Sequence, residues 1–320
     1  MRIIEKRRIF ITIGLAVMFA SIVVIATFGL RLGIDFTGGS LMEVSYSELP
    51  TKSALETKLN GANLGGYSLR EGGAGYILRT RDLSDDEREV ISALMLSEGV
   101  EGSIDRFTSI GPVIGEELKD KAVWAILGVV LVIVVYVAFA FSGVRQPVGS
   151  FVYGGITIFA LLHDVLVPAA LMAILGVTMG VEVDILFVMA LLAVLGYSVN
   201  DTIVVFDRVR ENLVKYRQEK KIKTKNEYGQ VEEKIEYIFN QKPFPAVVQE
   251  SIDQSILRSV NTSITTTVAL VALYFFGGEV TKIFALLLMI GVLAGTYSSI
   301  FLANPLLVWW AEDRKKKDIV

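Results

Sequence analysis

Long, uninterrupted apolar runs alternate along this chain with one finely patterned polar stretch, and the two patterns predict different surroundings. Ile9–Leu30 is a run of 22 largely apolar residues that follows a basic start carrying Arg2, Lys6, Arg7 and Arg8. Five further apolar runs lie at about 122–141, 148–175, 184–206, 259–277 and 283–310. A helix rises about 1.5 Å per residue, so roughly 20 apolar residues cross a bilayer, and each run reads as a membrane span. The first resembles a signal peptide, but it outruns the roughly 7–15 residues of such an apolar region and no A-x-A-like site closes it. It therefore reads as an uncleaved span.

Segment 31–121 switches to short periods. Leu41–Ser47, Tyr67–Arg70, Tyr76–Thr80 and Gly102–Ser109 read as strands, and Thr51–Leu59 and Ser84–Glu98 as helices. The second helix opens with a capping box, in which the Ser84 hydroxyl and the Glu87 carboxylate satisfy free amides reciprocally. Strand, helix, strand, strand, helix, strand is the order of a split βαβ, ferredoxin-like unit. The predicted fold is an α-helical integral membrane protein of six transmembrane helices with one α+β ferredoxin-like domain. Its divisions are 1–30 (tail and first helix), 31–121 (domain), 122–206 (helices two to four), 207–258 (loop), 259–310 (helices five and six) and 311–320 (tail).

Charge orients these spans. Lys and Arg number four in the N-terminal tail, one (Arg145) between the second and third spans, eleven over Arg208–Arg258 and four over Arg314–Lys317. The short loops of the opposite side hold only Lys282. Basic residues stay in the cytoplasm, so both termini are expected there and 31–121 outside it. Composition agrees: 52% of residues are hydrophobic, 20% are charged, and mean hydropathy is +0.54. The net charge of −3 is segregated by loop and gives no reason to expect nucleic acid. With no cysteine and one histidine, disulfides, thiolate zinc sites, thiol catalysis and multi-histidine metal sites are excluded.

Candidate chemistry begins with Asp201, nearly two turns inside its span, because an ionised group there costs roughly 2.5 kcal/mol or more. Asn200 precedes it. Asp201 lies 19 positions from Glu182 and Arg258 lies 19 from Gly277, so both sit about 28 Å deep and could pair. Asp164 is 12 positions from Gly176, roughly 18 Å deep. His163 stands about 100° around the helix from it, so only one of the two can point straight at the face of Asp201. A lone buried His is more often a hydrogen-bonded structural group than a relay. The hydroxylated start of the fifth span (Thr262, Ser263, Thr265, Thr266, Thr267) reads as packing, as does Gly291-x-x-x-Gly295 in the sixth. In 31–121 no catalytic constellation stands out; Asp82, Asp85 and Asp86 read as a solvated face, not a metal site.

Two glycine-bearing segments flank the domain, Gly33–Gly39 and Ile110–Leu118. A phosphate-cradling loop would need a strand, a helix and usually a Lys around Gly38, and these are missing. A tight connection is the plainer reading. Together with Gly196–Asn212, these segments resemble the SecF family of protein-export membrane subunits, in the resistance-nodulation-division superfamily, over nearly the whole chain. The resemblance implies that Asp35, Phe36, Gly38 and Gly39 belong to its DFTGG segment, His163 and Asp164 to its His-Asp pair, and Asn200 and Asp201 to its fourth-span signature, with Arg258 its arginine entering the fifth span. It implies proton transport through Asp201, Arg258, Asp164, Asn200 and His163, with protons as coupling ion and no cofactor, metal or enzymatic activity. Gly38, Gly39, Gly111 and Gly115 would then flank a moving domain as hinges. It also implies a separate SecD subunit, the SecYEG translocon, a translocating preprotein and membrane lipid as partners, in a bacterial inner membrane. The rivals are a small-molecule exporter subunit of the same superfamily and a purely structural translocon subunit. The Lys-rich extension over Arg217–Gln241 departs from the family pattern.

Overall fold

The computed structural model describes residues 2–62, 64–96, 101–141, 148–216, 218–225, 231–238 and 242–317. Arg145 and Glu98, used in the charge count and the helix boundary above, lie outside the described residues. The chain divides into two compact units: Phe28–Leu127 with Met172–Met189, and Met1–Thr27 with Gly128–Leu171 and Ala190–Val320. Among the described residues, six helices are long and apolar enough to cross a membrane.

After the first long helix, α1 (Arg7–Phe28), the first unit runs through α2 (Ile34–Thr37), β1 (Gly39–Tyr46), α3 (Lys52–Asn60), β2 (Tyr67–Gly72), β3 (Gly75–Thr80), α4 (Asp85–Met95) and β4 (Gly102–Ile110). The strands form one sheet in the order β2-β3-β1-β4, antiparallel at every pairing. That is the split βαβ topology expected from the pattern. β1 takes the centre because it alternates strictly: Met42, Val44 and Tyr46 point inward and meet Leu59 of α3 and Ile91 and Met95 of α4. Tyr46 carries its hydroxyl into this core and donates to the Met95 carbonyl, and burial pushes it up to about 12. At the start of α4 the capping box forms as read, with Ser84 accepting from the Glu87 amide and Glu87 accepting from the Ser84 amide. The Arg81 guanidinium, followed by the Ser84 amide, holds the exposed Glu87 carboxyl down at about 2.

The remaining long helices are α5 (Pro112–Ala140), α6 (Ser150–Thr178), α7 (Ile185–Tyr216), α8 (Phe244–Phe276) and α9 (Glu279–Tyr297), continued by a π-helical turn (Ser298–Ala303) and α10 (Asn304–Lys317). Between α7 and α8, β5 (Gln218–Lys225) and β6 (Val231–Ile238) pair as an antiparallel hairpin. Several helices outrun their apolar windows. α7 does not stop near Asp207 but continues to Tyr216, and α8 starts at Phe244, well before the expected 259, so much of 207–258 is helix. The extra turns are held by Asp207–Arg210 and Arg208–Glu211 pairs and by bonds across the two helices, Asn212 to Ser251 at 2.8 Å and Tyr216 to Glu250 at 3.0 Å. Hydropathy marks where a helix meets lipid, not where its hydrogen bonds end.

Within the helical unit, α9 lies on α7. Gly291 faces Val194 so closely that an added Cβ would stand 2.1 Å from a valine methyl, and Gly295 faces Ser198 in the same way at 3.0 Å. The Gly-x-x-x-Gly pattern thus serves contact inside the chain. α1 packs on the π-helical end of the sixth span: Tyr297 donates to the Phe10 carbonyl at 2.7 Å, and the Phe10 and Phe301 rings meet at 4.9 Å.

Candidate functional site

Among the described residues, two carboxylates are buried in the helical unit, Asp164 on α6 with no exposed surface and Asp201 on α7 at 8%. A buried ionised carboxylate costs several kcal/mol unless its lone pairs are filled. Hydroxyls fill them here. Asp164 Oδ2 accepts from Ser298 at 2.6 Å and from Ser198, while Oδ1 lies 2.8 Å from His163 Nδ1. Asp201 Oδ1 accepts from Ser259 at 2.5 Å and Oδ2 from Ser299 at 2.7 Å. Ser198 and Asp201 occupy one face of α7 as an i, i+3 pair.

The two acids are therefore served by one short segment, since Ser298 and Ser299 are consecutive. Adjacent helical residues stand roughly 100° apart or less, so one hydroxyl turns to α6 and the other to α7. The local sequence accounts for the wide turn. Pro305 has no amide to donate, and its ring crowds the carbonyl four residues back, that of Phe301. Asn304 adds a side-chain donor, its Nδ2 lying 2.6 Å from the Ser299 carbonyl. On α6, Pro168 likewise offers no amide to the carbonyl of Asp164.

The expected Asp201–Arg258 pair does not form in this structure. Ser259 takes the place facing Asp201, and Arg258, one position earlier, is turned about 100° away and is exposed, without an ion pair among the described residues. Depth arithmetic gave the level of the two groups but not the face. Asn200 is also exposed, one position from the buried Asp201, and so is Gly196 one turn before it. His163 is buried, bonded to Asp164 and stacked on Tyr297 at 5.9 Å between centroids; its Nε2 has no hydrogen-bond partner among the described residues. Thr262 and Thr265 bond back to carbonyls of their own helix. Ser198, Ser259, Ser298, Ser299 and Asn304 escaped the sequence reading. A Ser-Ser pair followed by Asn-Pro inside an apolar span was the available signal. Among the described residues, no group of three or more His, Asp or Glu could hold a metal ion.

The glycine-bearing motif residues gather in the other unit. Gly38 and Gly39 have φ of 71° and 123°, and a Cβ on either would meet backbone, Pro112 at 2.7 Å and the Thr80 carbonyl at 2.6 Å. A Cβ on Gly115, in the first turns of α5, would stand 2.8 Å from the Gly38 amide nitrogen, whereas one on Gly111 would have open space. Phe36 is buried. Asp35 caps a helix start, its Oδ2 accepting from the Ile185 amide at 2.8 Å, the first amide of α7, while Asp184 accepts from the Phe187 amide at 2.9 Å. Glu182 closes the junction with ion pairs to Arg70 at 2.7 Å and Arg79 at 2.8 Å.

Comparison with known proteins gives concordant matches. The family described as "Protein export membrane protein SecD/SecF, C-terminal" matches residues 91–230 and 228–313, and the "SecD/SecF GG Motif" matches residues 23–48. A protein translocase subunit SecF from Thermobaculum terrenum is 38% identical over 96% of this chain and 93% of its own length. Its counterpart from Anaerolinea thermophila is 37% identical over 97% and 94%. The crystal structure of SecDF, a translocon-associated membrane protein from Thermus thermophilus, superposes with a TM-score of 0.77 at 29% identity over 97% of this chain. The chain spans 38% of the length of that solved chain.

Proposed function

This chain belongs to the SecD/SecF family of protein-export membrane proteins, and from that premise we propose that it is one half of a proton-driven export complex whose proton carrier is Asp201. The observation that carries the reading is the shell of Asp201. A carboxylate held by an arginine is committed to its charged form, but hydroxyls donate to an ionised carboxylate and accept from a protonated one. Ser299, which also has a helix carbonyl within reach, suits both states, while Ser259 donates to the other oxygen. Asp164 and His163 extend the network, and exposed Arg258 supplies a cation that a rearrangement brings to Asp201. Making and breaking that pair switches the carboxyl between releasing and binding a proton. One proton moving through 100 mV supplies about 2.3 kcal/mol, and shifting a two-state equilibrium from 1:99 to 99:1 takes about 5.5 kcal/mol, so two or three protons per cycle suffice.

The partner is a SecD-type half. Gly196 and Asn200 on α7 and Arg258, Asn261, Thr262 and Thr265 on α8 are exposed within apolar spans, where polar groups facing lipid are costly. The basic bias of the tails and of the 207–258 loop supports termini in the cytoplasm and a sheet on the outer side of the inner membrane, where it engages a preprotein leaving the SecYEG channel and moves about the Gly38-Gly39 and Gly111–Gly115 connections. Export into membrane vesicles, with and without an imposed proton gradient, tests the reading. Asp201→Asn keeps size and polarity but cannot ionise; it is expected to preserve expression and assembly and to abolish the response to the gradient. A full response would make Asp201 structural.

A further inference from the structure

We propose that Ser298 and Ser299 form a paired proton-position switch, each letting one buried acid change protonation state without stranding a hydrogen bond. The inference rests on the proton-carrier reading above and adds to it the groups that make protonation reversible. Each serine has one proton and two acceptors within reach. Ser299 Oγ lies 2.7 Å from Asp201 Oδ2 and 3.2 Å from the Thr296 carbonyl; Ser298 Oγ lies 2.6 Å from Asp164 Oδ2 and 3.1 Å from the Gly295 carbonyl. Facing an ionised carboxylate, the hydroxyl donates to it. When the carboxyl gains a proton, the new O–H donates to the serine oxygen and the serine proton swings to its own helix carbonyl three residues back. No serine O–H bond breaks, and every donor keeps an acceptor.

Two contrasts single out this pair. Ser198 and Ser259, the other hydroxyls on these acids, have no second acceptor among the described residues. The pair also lies in a π-helical turn, and single-turn widenings of this kind are frequent at functional sites. Asn304 steadies the turn through the Ser299 carbonyl. The titratable groups around the acids are His163 beside Asp164 and Tyr297 stacked on His163, with Arg258 exposed on α8; no other charged side chain contacts either acid among the described residues. Protonation of Asp164 and of Asp201 is thereby registered in one turn of the sixth span.

Infrared difference spectroscopy on the complex in membranes, titrated across pH, reads the switch, with Asp201→Asn assigning the carboxyl band. In Ser299→Ala the titration midpoint of Asp201 is expected to rise by up to about one pH unit, the difference between a charge-assisted and a neutral hydrogen bond. The band of protonated Asp201 is expected to move to higher wavenumber, because its O–H has lost an acceptor. Ser299→Thr keeps the hydroxyl and should restore both, while Ser298→Ala should act on Asp164 and leave Asp201 unmoved. If Ser299→Ala does not assemble, Ser299→Cys, whose thiol bonds weakly, replaces it with the same expectations. A shifted midpoint with an unmoved band would make Ser299 a donor only and overturn the switch; an unmoved midpoint and band would make it structural. The gradient response of Asp201→Asn tests the carrier itself, so the two ideas fail separately.

Discussion

Removing the Asp35 carboxylate should loosen the first turn of α7, the helix that carries Ser198 and Asp201. Asp35 accepts from the Ile185 amide at 2.8 Å, and the segment bearing it is pinned beside the helix start by a parallel bridge, with Gly33 donating to the Val183 carbonyl at 2.8 Å and Val183 donating to the Arg31 carbonyl at 2.7 Å. Ile185 is one of four amides that the helix itself cannot satisfy. Losing such a cap costs about 0.5–2 kcal/mol, and losing a negative charge at the helix start about 0.3–1 kcal/mol, less here because Asp184 remains. A net of about 1–2 kcal/mol corresponds to roughly a 5- to 30-fold increase in local opening. Hydrogen exchange of the purified complex, followed over 185–188, measures this for Asp35→Ala. Asp35→Asn keeps an acceptor but not the charge, so its exchange should fall between parent and Asp35→Ala. Unchanged exchange in Asp35→Ala would refute the capping argument, and Asp35→Asn matching Asp35→Ala would assign the effect to charge alone.

Gly291→Ala places a Cβ 2.1 Å from a Val194 methyl and should destabilise the α7–α9 contact by about 1–3 kcal/mol, read as a lower melting midpoint in detergent. Adding Val194→Ala should restore most of the loss, and failure to do so would place the strain elsewhere. The Glu87 carboxyl sits at about 2 in the folded chain, so its contribution is fully present above the ordinary carboxylate range and is lost as pH falls from about 4.5 towards 2. An acid titration of the sheet's circular dichroism should therefore be shallower in Glu87→Gln, and identical slopes would count against the Arg81–Glu87 account.

What the sequence made legible follows from which interactions are local. The βαββαβ order could be read because alternation, turn glycines and the Ser84–Glu87 box are all encoded within a few residues, and strands and helices fall within about two residues of their expected ends, except that α4 ends at Met95, three residues before Glu98. The six spans were legible for the same reason, but their ends were not. Charged turns such as Asp207–Arg210 continue a helix without adding hydropathy.

The site was legible only in its costliest members. Asp164 and Asp201 stand out because charge in an apolar run is expensive, whereas serine is cheap in a membrane helix and announces nothing. Ser259, and not Arg258, faces Asp201 for a reason one position wide, the rotation of α8 about its axis, and spacing within a single helix leaves that rotation undetermined. The DFTGG segment shows the same limit. Its glycines could be read as a tight connection, but the role of Asp35 depends on an amide 150 residues away. A polar side chain in this chain acquires its function from the helix it faces, so the informative sequence signals are those that set the facing. Pro305 after Asn304 is such a signal, because it marks the widened turn in which two adjacent hydroxyls serve acids on separate helices.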